Sequence, residues 1–274
     1  MTVSSPTFTL SFDTLSRVDG SARFGFGPSS QPQALASVSG PIEVRLLAEQ
    51  ASQATLEVTI RPISNVPATE SKLLGGAVAG ATEPSLVLGA NPRTLVQVVV
   101  QMLQSLKGSD EGGGKAGKDG MVAAIVNATT LALLNAGSIP MRGVVCAVSV
   151  GLLDVDEGGE KTYIVNPDTT TTELIGSGCF AFLFSDFEPT SQNGATCVWS
   201  NWRRFGGGGG FDEEEILKTR EIAREGAREV WRAVKKLVEE TELRTGTGEI
   251  PLPQKKPMKI STKQEDDEDA RMEI

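Results

Sequence analysis

Apolar and polar residues alternate in three short stretches near the start of the chain, over residues 22–27, 34–47 and 54–61, with Pro, Gly, Gln and Ser between them. A period of two sends one row of side chains to a core and the other to solvent, so these stretches predict antiparallel strands or hairpins. Residues 95–106 (LVQVVVQMLQSL) open on a β-branched apolar run and predict a buried strand. Residues 109–120 (SDEGGGKAGKDG) are polar and rich in glycine, so a mobile loop is predicted over 106–119. The long Ala- and Leu-rich run 121–135 (MVAAIVNATTLALLN), with Gly137 after it, predicts a buried helix and its stop. Residues 143–153, 179–186 and 196–202 predict further strands. Residues 72–89 stay ambiguous: Gly75, Gly76, Gly80 and Pro84 oppose a helix on propensity, while packing would permit one.

Five glycines at 206–210 predict a flexible linker. Beyond it Ile216, Ala223, Ala227, Val230, Val234 and Leu237 recur at helical spacings with charge between them, and Asp212 with Glu215 forms a variant capping box. An amphipathic helix is therefore predicted over 212–243, and covering the sheet of its own domain is its default role. The stretch 244–274 is rich in Pro, Lys, Asp and Glu, which predicts a disordered charged tail. Strands and helices in this irregular order give an α+β, or mixed α/β, domain over 1–243 rather than a regular alternation.

Composition narrows the chemistry. The 274 residues carry 26 Lys and Arg against 35 Asp and Glu, a net charge of −9, so contact with nucleic acid would have to be local or shared with partners. There is no histidine. Ser-His-Asp and Cys-His nucleophile activation, HExxH zinc chemistry and any histidine base are thereby excluded. Cys146, Cys179 and Cys197 have no CxxC spacing and sit among apolar residues, as buried, reduced core cysteines do. No signal peptide and no run of about 18 apolar residues is visible, so a soluble intracellular chain without a membrane span is expected.

Several segments, in order, carry a resemblance: LSRVDGSARF (15–24), ALASVSGPIEVR (34–45), ATLEVTIRP (54–62), LGANPRT (88–94) and NATTLALLNAGSIPMRGVVCAVSVGLL (127–153). Together they resemble the RNase PH-like family over roughly residues 12–240. The resemblance implies a domain of the ribosomal protein S5 domain 2-like type, with mixed sheets packed with helices. It also implies a structural place in the core ring of an RNA exosome, whose ring members are mostly catalytically inert. The partners so implied are other RNase PH-like exosome subunits in a hetero-hexameric ring, cap subunits of OB and KH type, RNA in the central channel and an associated nuclease. Work in rRNA processing and RNA degradation would place the chain in nucleus and nucleolus, and also cytoplasm. No cofactor and no metal are implied.

The alternative is an enzyme of the same family, a phosphate-dependent 3′-to-5′ exoribonuclease. Phosphorolysis needs an anion site for the attacking phosphate and charge neutralisation at the phosphodiester, and it does not need histidine. Active relatives carry a GGTR-like segment before the long helix. Here the matching stretch is Asp119-Gly120-Met121-Val122, so Val122 stands where the phosphate-holding Arg would be. They also carry a catalytic Asp in an EADM-like strand. Here GSGCF matches it and puts Gly178 at the Asp position. Both losses imply no catalytic residues.

Other candidates divide between a function and a plainer role. Lys72 stands where active relatives grip the RNA backbone, or is a solvated lysine. Arg93, in Pro92-Arg93-Thr94, faces a phosphate or ion-pairs inside the fold. Trp202, Arg203 and Arg204 form an aromatic–basic cluster that suits RNA stacking and pairing, or they close a strand end. Asp19, in DGSA, is a catalytic acid or a turn residue that caps its own backbone. Gly75, Gly76 and Gly80 cradle a phosphate or belong to a helix or loop. Asp154, Asp156, Glu157 and Glu160 hold a divalent cation or line an exposed hairpin loop.

Overall fold

Buried and half-buried positions alternate along the third strand, with Ala34, Ala36 and Val38 fully inside. That strand, β3 (Gln33–Glu43), lies between β2 (Gly20–Phe26) and β5 (Thr94–Met102), antiparallel to both. The computed structural model describes residues 8–13, 15–27, 32–64, 66–104, 114–153, 161–167, 174–185, 194–205 and 213–246. With β1 (Phe8–Phe12) at one edge and β4 (Thr55–Arg61) at the other, the first sheet runs β1-β2-β3-β5-β4. β4 is parallel to β5 and is linked to it through helix α1 (Thr69–Thr82).

The second sheet has β6 (Val144–Leu153) and β8 (Leu174–Phe184) at its centre, long strands buried over most of their length. β7 (Thr162–Val165) pairs with β6, while β9 (Ala195–Ser200) and β10 (Arg203–Arg204) share the far edge of β8. Helix α2 (Gly114–Ala136) packs between the two sheets, against β2 and β3 on one side and β6 and β8 on the other. Its residues from Asp119 to Leu133 are buried all round, as a helix with sheets on both sides requires. Asn127 secures it by exchanging two hydrogen bonds with the backbone of Ala147 in β6, at 2.8 and 2.7 Å.

Helix α3 (Glu213–Gly246) is amphipathic, and Ala223, Ala227, Val230 and Val234 enter the core. Trp231 stacks on Phe184 of β8 at 6.0 Å. One compact unit runs from Met1 to Val238, and the remainder from Glu239 forms a second, described only as the last turns of α3.

Several expectations change. The loop predicted over 106–119 gives way to helix from Gly114, because Asp119 and Gly120 are buried and packing overrides the glycine-rich composition. The ambiguous stretch forms α1, with Gly75 alone of its glycines buried: a Cβ on Gly75 would stand 2.8 Å from the carbonyl oxygen of Val58, so Gly75 lets α1 lie directly on β4. One helix segment, Lys118–Ala136, is long and apolar enough by length and composition to span a membrane; it is mostly buried and serves as the core helix. The expected strands over 143–153, 179–186 and 196–202 correspond to β6, β8 and β9, while β1, β7 and β10 were not anticipated. The glycine linker 206–210, the acidic positions 154–160 and the tail from 247 lie outside the described residues.

Candidate functional site

The segment matched to the family's phosphate-holding sequence and the strand matched to its catalytic Asp meet in the structure. Asp119, on the second turn of α2, has a side chain only 1% exposed. Ser177 of β8 donates its hydroxyl to Asp119 Oδ2. The Asn201 amide donates to Oδ1 at 3.1 Å, and the Arg203 guanidinium donates to the same oxygen at 2.6 Å. Burial pushes the Asp119 carboxyl above its ordinary range, and Ser177, Arg203 and Asn201 pull it part of the way back.

Backbone geometry assembles the partners. β9 pairs with the second half of β8 and β10 with Gly176 and Ser177, so Asn201 and Trp202 bridge the gap between them. Asn201 is anchored there by two bonds, its N–H to the carbonyl of Cys179 at 3.1 Å and its side-chain oxygen from the Cys179 N–H at 2.6 Å. Trp202 is thereby laid over Gly178. A Cβ on Gly178 would fall 2.7 Å from the Trp202 Cα and 3.0 Å from its Cε3, so no side chain fits at the position matched to the catalytic Asp. Val122 lies one turn beyond Asp119, on the same side of α2, and is 4% exposed within the core.

Arg203 and Arg204, adjacent on a strand, point to opposite faces of the sheet. Arg203 meets Asp119 on the α2 side, and Arg204 approaches Glu215 of α3 at 3.7 Å. Glu215 is itself buried, with 1% of its side chain exposed, and takes a 2.8 Å bond from Lys161. Each arginine of the aromatic–basic cluster is thus charge-paired within the fold while keeping part of its surface in water.

Lys72 and Arg93 lie elsewhere. Lys72 is exposed on the first turn of α1 and has no ion-pair partner among the described residues. Arg93 takes a left-handed backbone (φ 60°) at the turn into β5 and makes an exposed 3.4 Å ion pair with Glu49. The structure therefore joins Arg203 to the Asp119 segment but does not bring Lys72 or Arg93 to it.

Asp19 does not cap its own backbone; its carboxylate accepts the Gly40 N–H at 2.7 Å and ties the turn before β2 to β3. Cys146 and Cys179 are buried and Cys197 half-buried, all three free, with burial pushing each thiol up. Among the described residues no cluster of three or more acidic or sulfur ligands could hold a metal. Sequence reasoning quoted Asp119 only as part of a lost motif. Its signal was an acid where the family carries glycine, but Ser177 and Asn201 left none, since strand pairing alone brings them to it.

The fold and the meeting of these two segments define an RNase PH-type domain. The 3′ exoribonuclease family, domain 1, matches residues 7–138. Exosome complex component RRP41 of Homo sapiens is 33% identical over 185 residues, 62% of this chain and 69% of that protein. The chain belongs to this family. It is also similar to exosome complex component rrp46 of Schizosaccharomyces pombe, 34% identical over 135 residues, and there it spans about half of the relative's length (49% of this chain, 53% of that protein). With exosome complex component RRP46 of Saccharomyces cerevisiae the identity is 26% over 226 residues, 82% of this chain and 92% of that protein. The crystal structure of rice (Oryza sativa) Rrp46 shares the fold with a TM-score of 0.63 and 19% identity, over 85% of this chain and 94% of that one.

Proposed function

We propose that the chain is a structural, non-catalytic subunit of the core ring of an RNA exosome, assembled with other RNase PH-like subunits and supporting 3′-to-5′ RNA processing by a separate nuclease. One observation carries the non-catalytic part of this reading. Where a phosphorolytic site needs fixed positive charge for a phosphate and a carboxylate beside it, this chain has the buried carboxylate of Asp119 and a Gly178 sealed by Trp202. The match to a yeast exosome component over nearly all of that protein's length supports the ring reading. Cap subunits of OB and KH type and residence in nucleus, nucleolus and cytoplasm would follow from such membership.

Among the residues proposed to meet RNA, Lys72 and Arg93 present charge to solvent, whereas Arg203 and Arg204 are charge-paired inside the fold. Affinity purification from the native cell should recover other RNase PH-like chains. Incubation of the chain, alone and with such a partner, with single-stranded RNA, phosphate and magnesium should release no nucleoside diphosphates. Phosphate-dependent release by the chain itself would overturn the non-catalytic reading, and recovery of the chain without any RNase PH-like partner would overturn the ring.

A further inference from the structure

We propose that Arg203, Ser177 and Asn201 form a small-oxyanion site that the protein keeps filled with its own Asp119 carboxylate, so that free phosphate or carboxylate ions are excluded while Asp119 is in place. The inference concerns this cluster alone and holds whether or not the chain joins a ring.

The donor set is that of an anion receptor rather than of a chance ion pair. A guanidinium at 2.6 Å and an amide at 3.1 Å converge on one oxygen, and a hydroxyl is directed at the other. All three partners come from outside α2, on β8, β10 and the turn between β9 and β10, and meet at the Asp119 carboxylate. Ser177 is 1% exposed, so its hydroxyl has lost water and depends on the anion for a partner. Two bonds to Cys179 fix the amide independently of Asp119: the Asn201 N–H donates to the Cys179 carbonyl, and the Asn201 side-chain oxygen accepts the Cys179 N–H. The receptor would therefore keep its shape without the carboxylate. Arg203 keeps 49% of its side chain in water, which gives a solution anion a route of entry. Removing Asp119 would leave a buried cation-facing hole with three oriented donors, and an oxyanion is the ligand class that satisfies them.

The test is chemical rescue of the full chain, held with a ring partner if it requires one for solubility. Asp119→Ala should melt below the wild type and recover by roughly 2–4 °C, the shift expected from about 1 kcal/mol of regained stability in a chain of this size, in tens of millimolar formate or inorganic phosphate. Formate matches the size of the missing group, and phosphate tests the larger member of the class. Sodium chloride at equal ionic strength should not restore it, the wild type should not respond to either anion, and Asp119→Ala combined with Arg203→Met should lose the rescue. If Asp119→Ala does not fold in chloride, its refolding yield in formate against chloride becomes the measurement. Asp119→Asn, which keeps the volume and so still fills the site, should show no gain from either anion beyond the chloride control. Rescue by either anion beyond the chloride control supports the site. Equal behaviour in chloride, formate and phosphate, or a wild type stabilised as much as the variant, overturns it.

Discussion

At the scale of single residues the site is governed by what lies against each position. Gly178 has no room for a side chain, so an acid placed there would damage the fold. Gly178→Ala is expected to cost about 1–3 kcal/mol, the usual price of overpacking, and Gly178→Asp more, with no phosphorolysis gained. Chemical denaturation and a nucleoside diphosphate assay read the two outcomes. Arg203→Ala is expected to destabilise by about 2 kcal/mol or more. That is below the roughly 3–5 kcal/mol of a fully buried pair, because half of the arginine already lies in water. Asp119 also makes stability depend on pH. Its carboxyl is raised above the unfolded value of 3.8, so its protonated form favours the fold. That contribution is complete below the unfolded value and is lost as pH rises through the raised one, with Arg203 and Cys179 the other ionisable groups beside it. Denaturation of wild type and Asp119→Asn across the acid range should accordingly show wild-type stability falling relative to the variant as pH increases; a difference that is flat with pH would refute the raised value.

Elements tell a different story about legibility. The strands with period-two patterns and the helix over 121–135 were readable because burial on one side, or on all sides, leaves a direct trace in the order of apolar residues. The start of α2 was not, since its glycine-rich sequence speaks for a loop, and only the burial of Asp119 and Gly120 shows the packing that overrides it. Likewise α1 depends on Gly75 approaching β4, a contact between segments that no local window contains. The expectation of losses at Val122 and Gly178 rests on aligned motifs, but that one carboxylate draws Ser177, Asn201 and Arg203 together follows from the strand order β9 and β10 on β8. For α3 the charged face conceals a decisive residue: Glu215, marked by sequence only as a capping partner, is buried beneath Lys161 and Arg204. Glu215→Ala should loosen the first turns of α3 and cost about 1–3 kcal/mol, since it strands two cations that remain partly hydrated. Hydrogen exchange over residues 213–223 should rise while that of α2 stays unchanged. Equal protection in both helices would show that the apolar face alone holds α3.

For the molecule as a whole, charge sets the terms of any meeting with RNA. A net charge of −9 repels a polyanion, and two of the four proposed contact arginines and lysines are already neutralised by buried carboxylates. The isolated chain should therefore bind single-stranded RNA weakly and with a steep loss as salt rises. Within an assembly the exposed residues would act beside those of neighbouring chains, so the same substitutions must be compared in the whole complex. Lys72→Glu and Arg93→Glu should lower RNA crosslinking there while leaving the melting temperature within about 1–2 °C, as surface changes usually do. Arg203→Glu and Arg204→Glu should reverse that order, because each sets a second negative charge against a carboxylate with 1% exposure and so acts first on folding. Crosslinking that falls for Arg203→Glu or Arg204→Glu at unchanged melting temperature would move RNA contact onto the β10 edge, and it would mean that the pairs with Asp119 and Glu215 open when RNA arrives.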